Sequence, residues 1–372
     1  MNTYDTCIAG AGGVVGSAIL RNLSARGLSV IGLEKHDGPA RETSGLNSRV
    51  IHSGFHETRG TLKSRLALDG SRMVTEYARH KGIRLLNTGM LIAIPRHPIG
   101  AGLWRELDSV WRLWRGGKAQ GVEFRWILSR AGVRTIAPIE ASGGIFIPSV
   151  SVIDVMQLVT SLQRDALENA TEIRYGAEIL GIDVAGDRYV LTTASGSFAS
   201  RSLINSAGLG AAEVSRMAGG PEYAVERIRG EYYELRGGME RWNIRTLVYP
   251  AMPGRSRSKG IHLGPRTDGR LFVGPDATPA DSEPTPKDVF VRAARNFLPQ
   301  ITDADLEYAY AGIRPKYGSD FQIRLDRTHP PLVNLIGIDS PGLSSAMAIA
   351  EYAGSLLCKT IRDGERLQHS FR

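Results

Sequence analysis

The chain has 372 residues, 42% of them hydrophobic and 23% charged, with a formal net charge of +8 and only two cysteines. That length buries a large core and suits two interwoven domains, and the composition is that of a globular protein. Cys7 and Cys358 are too few for a disulfide framework, and no metal site is expected. No apolar run reaches transmembrane length. The positive charge is arginine spread without a basic run, which reads as solvated surface that favours an anionic substrate. Nucleic-acid binding is not expected.

In chain order, residues 6–9 read as a buried strand. A glycine turn, Gly10-Ala-Gly12-Gly13-Val-Val-Gly16, follows, then a helix over 17–26 and a strand over 29–33 that ends on Glu34. This is the order of a dinucleotide-binding βαβ unit. Glycines let the backbone approach a pyrophosphate, a helix N-terminus faces the phosphates, and the acid accepts from a ribose hydroxyl. Gly16 comes one residue late for G-x-G-x-x-G, and the register starting at Ala11 lacks the first glycine. The chain enters its first strand directly, leaving no room for a leader, so cytoplasm is the expected compartment.

A polar stretch over 43–60 leads to a helix over 62–81 and a strand over 87–95. Residues 103–115 carry Trp104, Leu107, Trp111 and Trp114 at helical spacing, interleaved with Arg105, Arg112 and Arg115. This helix either packs on its own domain or another subunit, or lies on a membrane surface. A helix over 154–169 and a strand over 201–206 follow. The turn Ala207-Gly208-Leu209-Gly210 lacks a third glycine and a following acid, so no separate nicotinamide site is expected. Residues 227–276 alternate short β runs with Gly/Pro turns and predict an antiparallel sheet. A helix over 287–297, a strand over 332–338 and a long helix from Ser344 complete the chain.

Several segments resemble one flavoprotein superfamily. They include Thr43-Ser-Gly-Leu-Asn47-Ser48-Arg-Val-Ile-His52-Ser-Gly54, Arg229-Gly-Glu-Tyr-Tyr233, Tyr249-Pro250 and Gly260-Ile-His262. Gly274-Pro-Asp-Ala277, Gly312-Ile-Arg314-Pro-Lys316 and Asn334 through Leu343 belong to the same set. In this order they resemble the D-amino-acid-oxidase-like superfamily, and within it the L-2-hydroxyglutarate dehydrogenase/oxidase family. The sequence departs from that family after His52, where Gly54-Phe55-His56-Glu57 replaces a pair of aromatics, and between Lys316 and Phe321, which is shortened.

The resemblance implies FAD and an α/β fold. An FAD-binding Rossmann-like domain (1–82, 145–218, 325–372) is interleaved with an α+β substrate domain built on an antiparallel sheet (83–144, 219–324). Gly10, Gly12, Gly13 and Gly16 are expected at the pyrophosphate, Glu34 and Lys35 at the adenosine ribose, and Ser44, Asn47 and Ser48 at pyrophosphate and ribityl oxygens. Ala207 and Gly208 are assigned to the same cofactor. Gly342, Leu343 and Ser344 open a helix whose positive end faces the flavin's N1–C2=O edge, or form only a helix-start turn.

The implied reaction oxidises an L-2-hydroxy acid, with oxygen or a quinone as acceptor. Arg314 is expected at the carboxylate and Lys316 at a distal anion, while Arg229, Tyr232 and Tyr249 line the pocket. His52 and His262 are the candidate bases, His56 a further one, and His52 alternatively tethers the flavin. An amino-acid or amine oxidase, an RNA-modifying flavoprotein and a non-catalytic flavin protein are the competing readings.

Overall fold

A computed structural model describes residues 3–95, 101–251 and 260–370, with side chains described except at 101–103 and 364–370. Strand Thr6–Ala9, the glycine turn, helix Val14–Ser24 and strand Val30–Leu33 form the expected βαβ unit. The helix starts at Val14, three residues before the expected 17. Gly16 therefore lies in its first turn rather than in the loop.

These two strands sit inside a six-stranded sheet. Its order is Thr171–Arg174, Val30–Leu33, Thr6–Ala9, Leu203–Asn205, Pro331–Ile336 and Gln322–Thr328. All its pairings are parallel except the last. Parallel strands buried on both faces read as continuous apolar runs, as Cys7-Ile8-Ala9 and Val30-Ile31 do. Ile8, Ile204, Val333 and Leu335 face one core with residues of helices Val14–Ser24, Leu62–His80, Val155–Leu167 and Gly342–Ser370. Cys7, Ile31, Leu203 and Leu332 face the other, closed by Tyr189 and Leu191 of a four-stranded sheet and Val214 of helix Ala211–Met217. The period-2 alternation of strands thus builds three layers.

A nine-stranded sheet collects the rest of the large β runs. Glu226–Leu235 pairs antiparallel with Leu306–Lys316 in a register that sets Gly230 against Gly312. Strands Leu271–Gly274, His262–Pro265, Leu247–Pro250, Met90–Ile94, Gly143–Ile147 and Arg125–Ile127 follow across it. Along Met90–Ile94, Leu91 and Ala93 enter one core beneath helix Lys287–Arg295. Met90, Ile92 and Ile94 enter the other, against Val110 of helix Ala101–Lys118. Leu247–Pro250 and Met90–Ile94 run parallel, the exception in an otherwise antiparallel sheet. Strands Gly143–Ile147 and Gln322–Thr328 run across the expected boundaries at 144/145 and 324/325. Residues 252–259, inside the stretch expected to be β-rich, lie outside the described residues.

Candidate active site

A cavity of about 840 Å³ is lined by residues of both large sheets. At one end the glycines act sterically. Gly10 has φ +80°, and a Cβ there would lie 2.6 Å from the Ser206 carbonyl oxygen. A Cβ at Gly12 would lie 2.7 Å from the Glu34 carboxylate, and one at Gly16 only 2.2 Å from the Gly10 carbonyl oxygen. The late third glycine is therefore needed where the helix passes its own turn. Gly13 meets nothing closer than 3.5 Å and serves as N-cap of the helix. The N–H groups of Gly12 and His36 donate to the two oxygens of buried Glu34 at 2.9 and 3.0 Å, leaving lone pairs for a ligand hydroxyl. At the rim, Lys35 pairs with Glu42 at 2.7 Å. Burial alone would raise the Glu42 pKa, but hydrogen bonds from Lys35 and His36 outweigh it and hold the carboxyl low.

The 43–49 loop lies along the cavity. Ser44 Oγ accepts from the Val14 N–H at 3.0 Å, so it completes the helix start that Gly13 leaves uncapped. Asn47 lines the cavity as well. Its amide donates to the Thr43 and Ser44 carbonyls at 2.9 and 2.8 Å and accepts from the Arg49 N–H at 2.7 Å, so the side chain braces the loop. Ser48, Ala207, Gly208, Gly342 and Leu343 line the cavity. Ser344 does not. Its buried hydroxyl accepts from the His52 N–H at 2.8 Å and donates to the Val50 carbonyl, fixing the His52 backbone to the C-terminal helix.

At the other end, aromatic rings and cations converge. Tyr249 and His262, on adjacent strands, stack with centroids 3.9 Å apart and planes 11° apart. His52 and His56 each come within 6.4 Å of the Tyr249 ring. Burial pushes the Tyr249 and Tyr232 hydroxyls well above the ordinary phenol range, so both stay protonated donors. Tyr232 stacks on Tyr310 at 4.7 Å, and Arg314 and Lys316 follow Tyr310 at alternate positions of its strand. Both cations line the cavity, and neither makes an ion pair among the described residues. Glu226 is the cross-strand partner of Lys316.

Arg229 is a correction. Glu226, Ile228, Gly230 and Tyr232 face the cavity, so strand alternation turns Arg229 to the opposite face. There it donates to the Ala280 and Glu283 carbonyls and pairs with Glu231 at 3.0 Å.

One residue escaped the sequence reading. Arg266 is 2% exposed and donates to the Asn47 carbonyl at 3.0 Å and to the Tyr310 hydroxyl. Tyr310 donates to the same carbonyl. The Arg266 guanidinium lies over Phe272 and Tyr232, 4.7 and 5.7 Å from their centroids. Burial lowers its pKa, and Oδ2 of the nearby Asp268 carboxylate accepts instead from Nε and Nη2 of Arg270. A single arginine after a strand carries no periodic signal, and only the folded loop reveals its work. Among the described residues, no cluster of His, Cys, Asp or Glu is arranged to hold a metal ion.

Comparison with known proteins gives this geometry a family. The family model described as FAD dependent oxidoreductase (DAO) matches residues 5–356. A glycerol 3-phosphate dehydrogenase of Caloramator mitchellensis is 28% identical over 364 residues, covering 95% of this chain and 74% of the relative. An L-2-hydroxyglutarate dehydrogenase of Escherichia coli is 32% identical over 283 residues. That match covers 74% of this chain and 64% of the relative, just under two thirds of its length. The dithionite-reduced L-α-glycerophosphate oxidase of Mycoplasma pneumoniae, solved with FAD bound, superposes with a TM-score of 0.86 at 25% identity. It matches 96% of this chain and 95% of its own. The chain belongs to the DAO family of FAD-dependent oxidoreductases, and its cofactor is FAD.

Proposed function

We propose that the protein oxidises a small L-2-hydroxy acid bearing a second anionic group, of the L-2-hydroxyglutarate kind, to the 2-oxo acid, with oxygen or a quinone as electron acceptor. The observation that carries this reading is the pair Arg314 and Lys316. They are two cations without ion-pair partners among the described residues, on one face of one strand and lining the same cavity as the Tyr249–His262 stack. The steric glycines and the held Glu34 carboxylate fit the pyrophosphate and ribose of FAD. Bound there, FAD supplies a two-electron acceptor for the hydride that leaves the substrate α-carbon.

The chain's own residues do the rest. The Arg314 fork grips the C1 carboxylate bidentately, a contact that contributes about 1.5–3 kcal/mol. Lys316 takes the distal anionic group as a point charge. The His262 ring, stacked on Tyr249, takes the hydroxyl proton as the α-carbon gives up its hydride, and the neutral phenols of Tyr232 and Tyr249 donate to substrate oxygens. His52 is the alternative base or a point of flavin attachment. Colour that stays with acid-precipitated protein would support the attachment.

A second reading is a secondary alcohol carrying a phosphate. Its support is the similarity to the glycerol 3-phosphate dehydrogenase and the glycerophosphate oxidase, and a phosphate suits the same two cations. Anaerobic titration of the yellow protein with L- and D-2-hydroxyglutarate, lactate, malate, glycerol 3-phosphate and a panel of amino acids separates the readings. Bleaching by L-2-hydroxyglutarate ahead of the others is expected. Bleaching by glycerol 3-phosphate instead moves the substrate to the phosphate class. Bleaching by amino acids alone overturns the hydroxy-acid chemistry.

A further inference from the structure

Helix Ala101–Lys118 is two-sided. Val110 packs into the core of the nine-stranded sheet, and Ser109 and Leu113 line the active-site cavity. The outer side carries two large apolar residues in water, Trp104 at 70% exposed and Trp111 at 46%. Strand Arg125–Ile127 extends this surface, because Trp126 lies 5.8 Å from Trp114 of the helix. Trp126 is 39% exposed, and Leu128 just beyond it is 85% exposed. Core packing explains none of these positions, since burying such side chains would stabilise by about 1.5–3 kcal/mol each for ordinary large apolar residues.

Charge says what the patch faces. Between 104 and 130 there are six arginines and lysines against three acids, and one of those acids, Glu106, is buried. Asp108 pairs with Arg112, and Glu123 lies 3.9 Å from Arg125. Arg115 lies over the Trp111 ring and Lys118 over Trp114, at 5.4 and 5.1 Å. Arg105, Arg115, Lys118 and Arg130 have no ion-pair partner among the described residues. A second copy seated on this face across a two-fold axis would bring arginines against arginines. An anionic bilayer takes both components, rings at the headgroup boundary and cationic heads on the lipid phosphates. No described helix is long and apolar enough to cross a membrane, so the contact is one of surface only.

We propose that the outer face of helix Ala101–Lys118, with Trp126 and Leu128, is a docking surface for an anionic lipid bilayer, placed on the back of an active-site wall. The test needs no substrate, so its result stands apart from the identity of the acid oxidised. FAD-loaded protein is floated with vesicles of phosphatidylcholine containing phosphatidylglycerol and with vesicles of phosphatidylcholine alone, at low and high salt. Flotation with the anionic vesicles at low salt, little with neutral ones, and weakening by salt are expected. Trp104→Ala/Trp111→Ala and Arg105→Glu/Arg115→Glu should each weaken binding about tenfold or more, with the flavin spectrum and thermal unfolding unchanged. Absence of flotation with anionic vesicles overturns the proposal, as does equal binding by the variants. So does a dimer in sedimentation velocity that the same variants dissociate, which gives the face to a second copy.

Discussion

A single methyl group is decisive at Gly16, where an alanine Cβ would meet the Gly10 carbonyl oxygen at 2.2 Å, a backbone atom with no room to yield. Gly16→Ala is therefore expected to purify colourless and to refuse reconstitution with FAD, read from its visible absorbance. Gly13→Ala, with nothing nearer than 3.5 Å, should stay yellow. At the substrate end, Arg314→Met should lower kcat/KM by roughly 10- to 150-fold, the equivalent of one charge-assisted contact of about 1.5–3 kcal/mol. His262→Ala should lower kcat by about 10²–10⁴-fold if its ring is the base, and His52→Ala should do so by less. Equal losses in rapid-mixing reduction would assign the proton elsewhere. Placement at the cavity was legible where a motif carries the side chain, as with Glu34, Tyr249 and His262. It was not legible where the backbone decides. Strand phase turned Arg229 outward, and Arg266 gained its partners only when the 43–49 loop folded onto it.

Asp165 shows how elements are held together. It accepts from Arg21 at 2.9 Å, Tyr77 at 2.9 Å and Lys81 at 2.6 Å, joining helices Val14–Ser24 and Val155–Leu167 to helix Leu62–His80 and the lysine that follows it. Burial alone would raise its pKa, but hydrogen bonds from Lys81, Arg21 and Tyr77 outweigh it, so the folded value lies below the unfolded one. A depressed carboxylate stabilises above its unfolded pKa, about 3.9, and loses that contribution as pH falls through the folded value. Asp165→Asn should accordingly cost about 2 kcal/mol near neutral pH by urea unfolding, with the gap from wild type closing below pH ~4. The helices were readable because their apolar residues recur at helical spacing, and Asp154 announces one by accepting from the Gln157 N–H. The strands Ile179–Ala185, Arg188–Thr193 and Gly196–Ser200 passed unnoticed, their alternation diluted by exposed Thr, Ser and Gly. Leu306–Lys316 was hidden for another reason. It is defined by its pairing with Glu226–Leu235, which is distant in sequence.

At the scale of the whole molecule, the chain passes repeatedly between the two large sheets, and the cofactor cavity is lined from both. FAD bound there stabilises only the folded state, by about 2.7 kcal/mol at a hundredfold excess over Kd. Apoprotein is thus expected to melt at a lower temperature than holoprotein in a calorimetric scan, with the two sheets unfolding in one transition. Two separated transitions, only one of them sensitive to FAD, would show the sheets to be energetically independent.

Thr43 Oγ1 donates to the Ile313 carbonyl at 2.6 Å, and Gly312 is so near the Leu46 carbonyl that a Cβ would sit 1.8 Å from it. Arg266 and Tyr310 both converge on the Asn47 carbonyl. The strand that carries Arg314 is thereby riveted to the 43–49 loop along the cavity. On the proposed reading, in which Arg314 grips the substrate carboxylate, its reach to bound FAD is a dimension set when the polypeptide folds. An acid one methylene too long or too short would meet a ruler, not a hinge.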